Sequence, residues 1–427
     1  MSNAILVVGG GFSGLTAAIE AAELGHDVYI VEKTPFLGGR VAQLNKYFPK
    51  LCPPSCGLEI QFQRIRNNPH IKFFTLAQVT ALSGTKGDYK VQVTVQPRYT
   101  APHNVDLGLT ASALEGEVAN EFDFGLSKRK ALYKSMPFAF PGRYVLDPKS
   151  LTPSDTAKIA ACKFIDTKEQ PRTVELNVGA IVVATGWKPY DVTRLANLGA
   201  GSVKNCITNM QMERLASPFG PTGGRIVRPS DGIAPRRVCF VQCAGSRDQN
   251  HLNYCSYICC MASIKQSLYL AEKLPDATAD IYYIDLRTPG RYVNFLDKAK
   301  ATGKVHFIKG KVANVEQAEG DKVSVQVEDA IRGEKLTLTY DLVVLATGMQ
   351  PSLAGEKFPL PVPLDEDGFV TGGEDAGIFA AGCACVCDFC DIPRHHVRVL
   401  QFTGLEWRGR REVHRTEQLC KPFRRQQ

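Results

Sequence analysis

The chain has 427 residues, of which 44% are hydrophobic and 22% charged, a composition typical of a globular protein with two or three domains. It contains no run of about 18 apolar residues and no basic segment at its start, so we expect no membrane span, no signal peptide and a cytoplasmic location. Half of the net charge of +8 lies in the last 45 residues, so we infer no nucleic-acid partner from it.

The first predicted elements form a dinucleotide-binding unit. An apolar strand over residues 5–8 is followed by an Ala-rich helix and by a second strand that ends at Glu32. Between the first strand and the helix lie Gly9, Gly11 and Gly14, in the G-x-G-x-x-G spacing. Gly9 permits a tight turn, Gly11 lets a pyrophosphate approach the backbone, and Gly14 lets the helix pack on the strand. The Glu32 carboxylate can accept hydrogen bonds from an adenosine ribose.

A second glycine turn follows the second strand. Gly38, Gly39 and Arg40 place a turn and a cation where the phosphates and the flavin of FAD would lie. This pattern favours FAD over NAD as the cofactor.

Two cysteines after this turn have several possible roles. Cys52 and Cys56 resemble, by their place soon after an FAD motif, the redox pair of a pyridine-nucleotide disulfide reductase fed by NADPH. In those enzymes the pair lies nearer the helix, and here Pro53 and Pro54 stiffen the linker and limit disulfide closure. We therefore expect both cysteines near the flavin, as a redox pair, as ligands or as structural thiols.

Three later strands complete a flavoprotein pattern. Residues 180–189 and 342–351 are apolar strands with an Ala-Thr-Gly end, and residues 377–384 form a third strand that reaches Gly382. Each alone could be an ordinary buried strand with a glycine turn. Together they resemble flavoproteins with two dinucleotide-binding domains, an α/β fold in which a second Rossmann-like βαβ domain interrupts the FAD domain.

The interrupting domain lacks the expected glycine loop. A strand over 238–242, a helix over 254–274 and a strand over 279–286 form its βαβ unit. The turn after the first strand reads Cys243-Ala244-Gly245-Ser246, onto which no G-x-G-x-x-G can be placed. Because phosphate binding needs those glycines, we do not expect NAD(P)H to bind here.

Four cysteines occupy this place instead. With a helix from residue 254, Cys255 and Cys259 would lie on one face of its first turn, Cys260 beside them, and Cys243 at the end of the facing strand. The chain has 14 cysteines, which in a reducing compartment favours metal ligands or redox thiols over a disulfide framework. Four thiolates at a helix N-terminus fit an iron–sulfur cluster, although the spacing is that of neither a ferredoxin nor a zinc ribbon. The alternative is that these thiols only fill a core.

These segments resemble known families. "QCAGSRD" (242–248) and "YCSYICCMASIKQS" (254–267) are similar to the flavin domain of heterodisulfide reductase A subunits. That resemblance implies FAD and a [4Fe–4S] cluster associated with Cys243, Cys255, Cys259 and Cys260. "GGRVAQLNKYFPKLCPPSCGLEIQFQRI" (38–65) is more similar still to the A subunits of quinone-interacting membrane-bound oxidoreductase complexes of sulfate-reducing prokaryotes.

The second resemblance implies an oxidoreductase subunit that transfers electrons between membrane menaquinol and adenylylsulfate reductase. It would assemble with a second flavoprotein or iron–sulfur subunit and a haem-binding membrane subunit, and would reach the membrane through them. Residues 101–172 contain one cysteine and lack the ferredoxin-like insertion of the heterodisulfide reductase relatives, which favours this shorter A subunit. An electron-bifurcating flavoprotein of the heterodisulfide reductase type, an NAD(P)H-dependent disulfide reductase and a flavin-bearing scaffold are the alternatives.

The resemblance also implies a domain division. The FAD domain would comprise 1–100, 173–232 and 341–384, with an insertion at 101–172, the second domain at 233–340 and an atypical or out-of-frame tail at 385–427. Four cysteines around the start of this tail could alternatively hold a metal: Cys383, Cys385, Cys387 and Cys390. The residues assigned to FAD are Gly9, Gly11, Phe12, Ser13, Gly14, Glu32, Lys33, Gly39, Arg40, Val79, Thr185, Gly186 and Gly382.

Overall fold

The computed structural model describes residues 2–48, 51–102, 105–372 and 377–381. The assignments for Gly382 and for the tail over 385–427, with its cysteines, lie outside these residues. The helices are α1 (Phe12–Glu23), α2 (Pro54–Asn67), α3 (Gly108–Ala113), α4 (Pro153–Ala160), α5 (Asn209–Ala216), α6 (Cys259–Lys273) and α7 (Val293–Ala301).

The strands are β1 (Ile5–Val8), β2 (Val28–Glu32), β3 (Ile71–Thr75), β4 (Ala77–Thr85), β5 (Asp88–Val95), β6 (Glu117–Ala119), β7 (Lys128–Lys130), β8 (Leu132–Tyr133), β9 (Val145–Leu146), β10 (Arg172–Val178), β11 (Ala180–Val183), β12 (Trp187–Pro189), β13 (Cys206–Thr208), β14 (Arg237–Ala244), β15 (Thr278–Tyr283), β16 (Val305–Gln317), β17 (Val323–Asp329), β18 (Glu334–Tyr340), β19 (Leu342–Thr347), β20 (Met349–Pro351) and β21 (Ile378–Ala380).

A five-stranded parallel sheet forms the first nucleotide-binding unit. Its strand order is β21-β11-β1-β2-β3, so segments far apart in the chain lie side by side. The central strand β1 is buried along its whole length, and the Ala-rich α1 covers the sheet with its buried face. Small residues let this helix approach the strand closely. The loop between β1 and α1 therefore opens at the carboxyl edge of the sheet, where ligands of open α/β sheets bind.

A seven-stranded sheet forms the second unit. Its order is β13-β19-β14-β15-β16-β17-β18, parallel from β13 to β16 and antiparallel beyond. The five-stranded parallel sheet and the parallel part of the seven-stranded sheet are the two units of the expected α/β fold. The boundaries differ from the prediction, because β13 and β19, which we assigned to the FAD domain, belong to the second sheet. The fully buried β19 pairs with β14 along the apolar edge that β14 would otherwise leave uncovered.

Helix α6 also differs from its prediction, since it begins at Cys259 and not at residue 254. The preceding residues form a hydrogen-bonded loop in which the Arg247 amide donates to the Tyr254 carbonyl at 3.1 Å. Tyr257 has a left-handed backbone (φ 57°), which a right-handed helix cannot contain. Cys255 therefore lies in this loop, and the prediction that it shares the first helical turn with Cys259 is wrong.

Smaller sheets surround the two units. An antiparallel sheet, β10-β5-β4, packs beside the first unit, the ribbon β12-β20 leads from it towards the second, and the hairpins β6-β7 and β8-β9 belong to the insertion. The insertion has its own small core with Leu114 and Leu132. None of the helices in the described part of the chain is both long enough and apolar enough to span a bilayer.

Candidate functional site

The loop after β1 is shaped for a dinucleotide. Gly9 has φ 111°, and a Cβ atom there would lie 2.2 Å from the Ala184 carbonyl oxygen, so only glycine fits. A Cβ on Gly14 would lie 2.0 Å from the Gly9 carbonyl oxygen, because α1 packs closely on the strand. A Cβ on Gly11 would have only Gly39 Cα nearby, at 3.9 Å, so the space above Gly11 is open. The loop thus provides a cradle that a side chain at residue 11 would fill.

Glu32 is fixed at the end of β2. Its side chain is buried, and its two carboxylate oxygens accept hydrogen bonds from the Gly10 amide at 2.6 Å and the Thr34 amide at 2.8 Å. A carboxylate has about four acceptor positions, so it can still accept from a ribose hydroxyl. The arrangement matches the acidic residue of a dinucleotide site.

A cavity of about 640 Å³ extends from this loop. Its size is within the range usual for small-molecule and cofactor sites. Of the predicted cofactor residues that the structure describes, Gly14 packs the helix against the strand, and the others line the cavity: Gly9, Gly11, Phe12, Ser13, Glu32, Lys33, Gly39, Arg40, Val79, Thr185 and Gly186.

Arg40 joins the glycine turn to the ribbon. It lies in a 3₁₀ helix over Gly39–Gln43, and its Nε donates to the Trp187 carbonyl oxygen at 2.7 Å, with the guanidinium 5.4 Å from the centre of the Trp187 ring. Burial lowers the pKa of Arg40 from its usual value of 12.5. The side chain therefore contributes a well-positioned cation to the cavity wall.

The insertion contributes part of the cavity wall, which the sequence did not reveal. Its lining residues are Asn120, Glu121, Phe122, Tyr133 and Ser135. Phe122 also packs edge-on against Phe36 with ring centres 5.6 Å apart, and its carbonyl accepts from Gln43 Nε2 at 3.1 Å. No local motif marks these residues, because they reach the cavity only through long-range packing.

Cys52 lies two residues before α2, and Cys56 lies in its first turn. Cys52 is half-buried and bridges Tyr47 in a short backbone pairing, whereas Cys56 is exposed on the first helical turn. Both carry free thiols, and among the described residues neither is part of the cavity wall. The helix start is near the cavity all the same, since a Cβ on Gly57 would lie 3.7 Å from the Phe12 ring. Their role as a redox pair stays a prediction.

The four cysteines of the second unit converge. Cys243 lies at the irregular end of β14 with φ 56°, Cys255 lies in the loop, and Cys259 and Cys260 begin α6. All six pairs among these thiols interact electrostatically, although the residues span 18 positions of the chain. The Cys259 Sγ lies 3.5 Å from the Thr347 carbonyl oxygen and the Cys260 Sγ 3.6 Å from that of Asp285. We call this group the four-thiol site.

Burial keeps three of these thiols protonated at neutral pH. It raises the pKa of Cys243 to about 11, with further contributions from Cys260 and Cys255, and it also raises the pKa of Cys259 and of Cys260 above the usual value of 9.0. Metal binding to such thiols must release protons. Only a group that binds thiolates strongly would therefore offset the free energy needed to deprotonate these thiols.

Two arginines lie beside the four-thiol site. Arg247 interacts with Cys243 and Cys255 and pairs with Asp285 at 2.9 Å. Arg287 interacts with Cys260 and lies over the Tyr257 ring, 4.6 Å from its centre. Positive charge at this place offsets the negative charge of thiolate ligands. The cysteine pattern gave no indication of these residues.

A zinc site and a four-iron cluster differ in the spacing of their thiolate ligands. Across residues 2–48, 51–102, 105–372 and 377–381, no three His, Cys, Asp or Glu side chains converge closely enough to hold a single metal ion. A four-iron cluster is wider than one ion, so its thiolate ligands stand farther apart than those of a zinc site.

The chain is similar to several known proteins. Residues 4–49 match the family of FAD dependent oxidoreductases. An iron–sulfur A subunit of the CoB–CoM heterodisulfide reductase of Methanopyrus kandleri is 38% identical over 371 residues, which are 85% of this chain and 57% of that protein. The A subunit of the ferredoxin/F420H2-dependent CoB–CoM heterodisulfide reductase of Methanosarcina acetivorans is 34% identical over 399 residues, 90% of this chain and 50% of that protein.

A solved structure is also similar. The thioredoxin reductase of T. acidophilum aligns with a TM-score of 0.47 and 16% identity over 88% of both chains. The chain spans about half the length of the curated relatives that it matches. The chain is thus an oxidoreductase that is similar to A subunits of heterodisulfide reductases, and its residues 4–49 match FAD dependent oxidoreductases.

Proposed function

We propose that this chain is the FAD- and iron–sulfur-binding electron-transfer subunit of a multi-subunit oxidoreductase of the heterodisulfide reductase A type. The observation that carries the proposal is the convergence of four thiols at the β14–α6 connection, where a nicotinamide nucleotide would otherwise bind. The subunit would exchange electrons with protein partners in place of a diffusible hydride donor.

The first site would hold FAD. When bound, FAD supplies a centre that takes up two electrons and can release them one at a time. Gly11 leaves the cradle open for the pyrophosphate, and the fixed Glu32 carboxylate can accept from the ribose. Arg40 places a positive charge on the cavity wall, which suits the negatively charged cofactor.

The second site would hold a [4Fe–4S] cluster through Cys243, Cys255, Cys259 and Cys260. When bound, the cluster supplies a carrier of single electrons. Cys259 and Cys260 begin α6, whose N-terminal amides favour anionic ligands. Arg247 and Arg287 add positive charge around the thiols.

Two complexes are candidates for the whole assembly. The resemblance of residues 38–65 and the lack of the ferredoxin motif in 101–172 favour the quinone-interacting complex, where the subunit would connect menaquinol with adenylylsulfate reductase and reach the membrane through partner subunits. The heterodisulfide reductase relatives favour an assembly of their own type about equally. Purification of the native complex separates them: electron transfer from menaquinol to adenylylsulfate reductase supports the first, and reduction of a CoB–CoM heterodisulfide the second.

The disulfide reductase alternative has less support. It needs a nicotinamide loop, which the turn from Cys243 to Ser246 lacks, and a thiol pair at the flavin, whereas Cys52 and Cys56 are not part of the described cavity wall. If the protein were only a scaffold, its FAD and its cluster would exchange no electrons with partner proteins, and no turnover would be observed.

Anaerobic reconstitution tests the proposal. Wild-type protein should bind FAD and about four irons per chain, as a [4Fe–4S] cluster requires, and give an EPR signal after reduction. Cys259→Ala should keep FAD but lose or weaken the cluster, because one iron would then lack its thiolate. Cys206→Ala is the matched control, since Cys206 is a thiol of the same sheet that donates to the Leu198 carbonyl and lies outside the four-thiol site. Full FAD occupancy without iron in the wild type would leave the thiols as core residues and remove the proposal.

A further inference from the structure

A short ribbon links the two sites. It consists of β12 and β20, in which Trp187 pairs with Pro351, Lys188 with Gln350, and Pro189 with Met349. At one end the ribbon borders the FAD cavity, and at the other it contacts the loop that carries the cysteines.

The cavity end of the ribbon is part of the cofactor site. The cavity wall includes residues from both strands or their ends. These are Gly186, Trp187 and Lys188 at β12, and Ser352 and Leu353 after β20. The Ser352 amide donates to the Gly186 carbonyl oxygen at 3.0 Å and closes this end. Both strands of the ribbon therefore leave the cavity wall together.

Hydrogen bonds hold the other end of the ribbon to the cysteine loop. The Met349 amide donates to Ser256 Oγ at 2.8 Å, and the Met349 carbonyl accepts from the Tyr254 hydroxyl at 2.9 Å. These two residues flank Cys255 in the sequence. The chain before Met349 reaches the site directly, since the Thr347 carbonyl contacts the Cys259 Sγ at 3.5 Å.

Close packing strengthens this contact. A Cβ on Gly348 would lie 2.1 Å from Ser246 Oγ, so the ribbon touches the turn after Cys243. Tyr190, the residue after β12, packs its ring over Gly245 and is 2% exposed. Its hydroxyl is 2.8 Å from His251 Nδ1 in the same loop.

The ribbon is short. Five peptide units separate Thr347 from Ser352, and a fully extended chain of that length spans at most about 18 Å. Three units separate Trp187 from Tyr190, at most about 11 Å. The route from cavity to thiols is thus a continuous, hydrogen-bonded and tightly packed segment.

We propose that the β12-β20 ribbon is the route by which electrons pass between the FAD cavity and the four-thiol site, with Trp187 at the cavity end and Tyr190 at the thiol end. The inference rests on the proposed function, which provides a redox centre at each end. Tunnelling between centres weakens with distance and with gaps in packing, so two bulky rings along a short ribbon favour this path.

The electron balance is simple. Reduced FAD gives up two electrons and two protons, and the protons leave through the cavity to water. Each electron enters an oxidised cluster singly, so a one-electron acceptor protein must reoxidise the cluster before the second electron follows. No bond within the ribbon forms or breaks, and electrons that arrive from the partner would use the same route in reverse.

Variants of the two rings test the route in protein loaded with FAD and iron. Trp187→Leu and Tyr190→Leu should retain both cofactors but lose the fast phase of cluster reduction after light-driven reduction of the flavin, measured by EPR of rapidly frozen samples. Trp187→Phe and Tyr190→Phe keep an aromatic ring at each position and should retain the fast phase of cluster reduction. Phe164→Leu is the matched control, because Phe164 is a partly exposed ring of the insertion that is not part of the cavity wall.

A second measurement needs no turnover. The chain contains two tryptophans, Trp187 and Trp407, so Trp407→Phe leaves Trp187 as the sole indole. Addition of FAD to the apoprotein of this variant should quench the fluorescence emission of Trp187. Unchanged emission at full FAD occupancy would show that the ribbon does not begin at the cofactor.

The outcomes separate the two proposals. Wild-type protein without iron would overturn the proposed function and the route with it. Iron and FAD at wild-type levels together with equal cluster reduction in all five variants would overturn the route alone.

Discussion

The glycine loop shows how single residues specify the cofactor site. Gly9 and Gly14 are required by the fold, since a Cβ atom at either would lie 2.2 Å or less from a backbone oxygen. Gly11 has no such neighbour, and its open cradle has a role only when a ligand is bound. Substitutions at the two kinds of glycine should therefore have different effects.

We predict that Gly11→Val folds normally but loses FAD affinity. The new side chain would occupy the cradle, and we expect a loss of tenfold or more, equivalent to about 1.4 kcal/mol. FAD titration of the apoprotein followed by flavin fluorescence measures it, with thermal unfolding of the apoprotein as the control. In contrast, Gly14→Val should destabilise the apoprotein itself. Unchanged FAD affinity in the Gly11 variant would show that the pyrophosphate lies elsewhere.

An ion pair between the insertion and α5 holds part of the cavity wall. Arg214 of α5 is almost fully buried, and its Nε donates to Asp123 Oδ1 of the insertion at 2.8 Å. Its guanidinium also lies over the Phe122 ring, 4.7 Å from its centre. Because Phe122 lines the FAD cavity, this ion pair holds a cavity wall in place.

Breaking this ion pair should affect both stability and the cofactor. We predict that Asp123→Asn lowers the free energy of unfolding by about 3–5 kcal/mol, because it leaves the buried Arg214 without a counter-charge. FAD affinity should fall as well. Urea unfolding and FAD titration measure the two effects, and Lys204→Ala, which removes an exposed ion pair with Asp321, is the control. A loss below about 1 kcal/mol, the range of surface pairs, would contradict the prediction.

The start of α4 makes the insertion sensitive to acid. Burial alone would raise the pKa of Asp155, but hydrogen bonds from the Glu115, Gly116 and Thr152 amides hold it well below its usual value of 3.8. A carboxyl whose pKa is lowered by folding stabilises the native state above its unfolded pKa, and this contribution is lost as the pH falls.

The stabilising effect of Asp155 should thus be complete above about pH 5 and decline below about pH 4, the range of an unfolded aspartate. We expect the difference in unfolding free energy between the wild type and Asp155→Asn to stay constant from about pH 6 to pH 5 and to shrink from about pH 5 to pH 3. Urea unfolding at a series of pH values measures this difference. A difference that does not vary with pH would show that the carboxylate charge has no part in the stabilisation.

The molecule as a whole combines a parallel sheet and a mixed sheet, each with a site at its loop end. One site has the geometry of a dinucleotide loop, and the equivalent place in the other sheet holds four thiols. The ring of Tyr190 lies over Gly245, in the turn where a nucleotide would approach the backbone. We therefore expect this contact to hinder the approach of a nicotinamide nucleotide.

We predict that neither NADH nor NADPH reduces the bound flavin at a useful rate. The turn after β14 has no phosphate cradle, because its backbone lacks the required glycines. Anaerobic mixing with each nucleotide should leave the flavin absorbance band unchanged, while dithionite should bleach it. Rapid bleaching by either nucleotide would restore the disulfide reductase alternative.

Local patterns were sufficient for some of these conclusions and not for others. The spacing of Gly9, Gly11 and Gly14 fixes a turn between neighbouring elements, so its geometry is recorded in adjacent residues. The cysteine pattern likewise predicted that the four thiols lie near one another. The prediction that Cys255 shares the first helical turn was wrong, because the left-handed backbone of Tyr257 lies outside the helix and α6 begins at Cys259.

Other features depend on pairings between distant segments, and no local signal records these. The apolar run of β19 is equally suited to either sheet, and only its pairing with β14 places it in the second. The insertion residues at the FAD cavity are brought there by the buried Asp123–Arg214 contact, 91 positions apart in the chain. The sequence alone indicates the chemistry of each site because short-range backbone geometry requires particular residues, whereas the cavity walls and the connection between the sites arise from long-range packing.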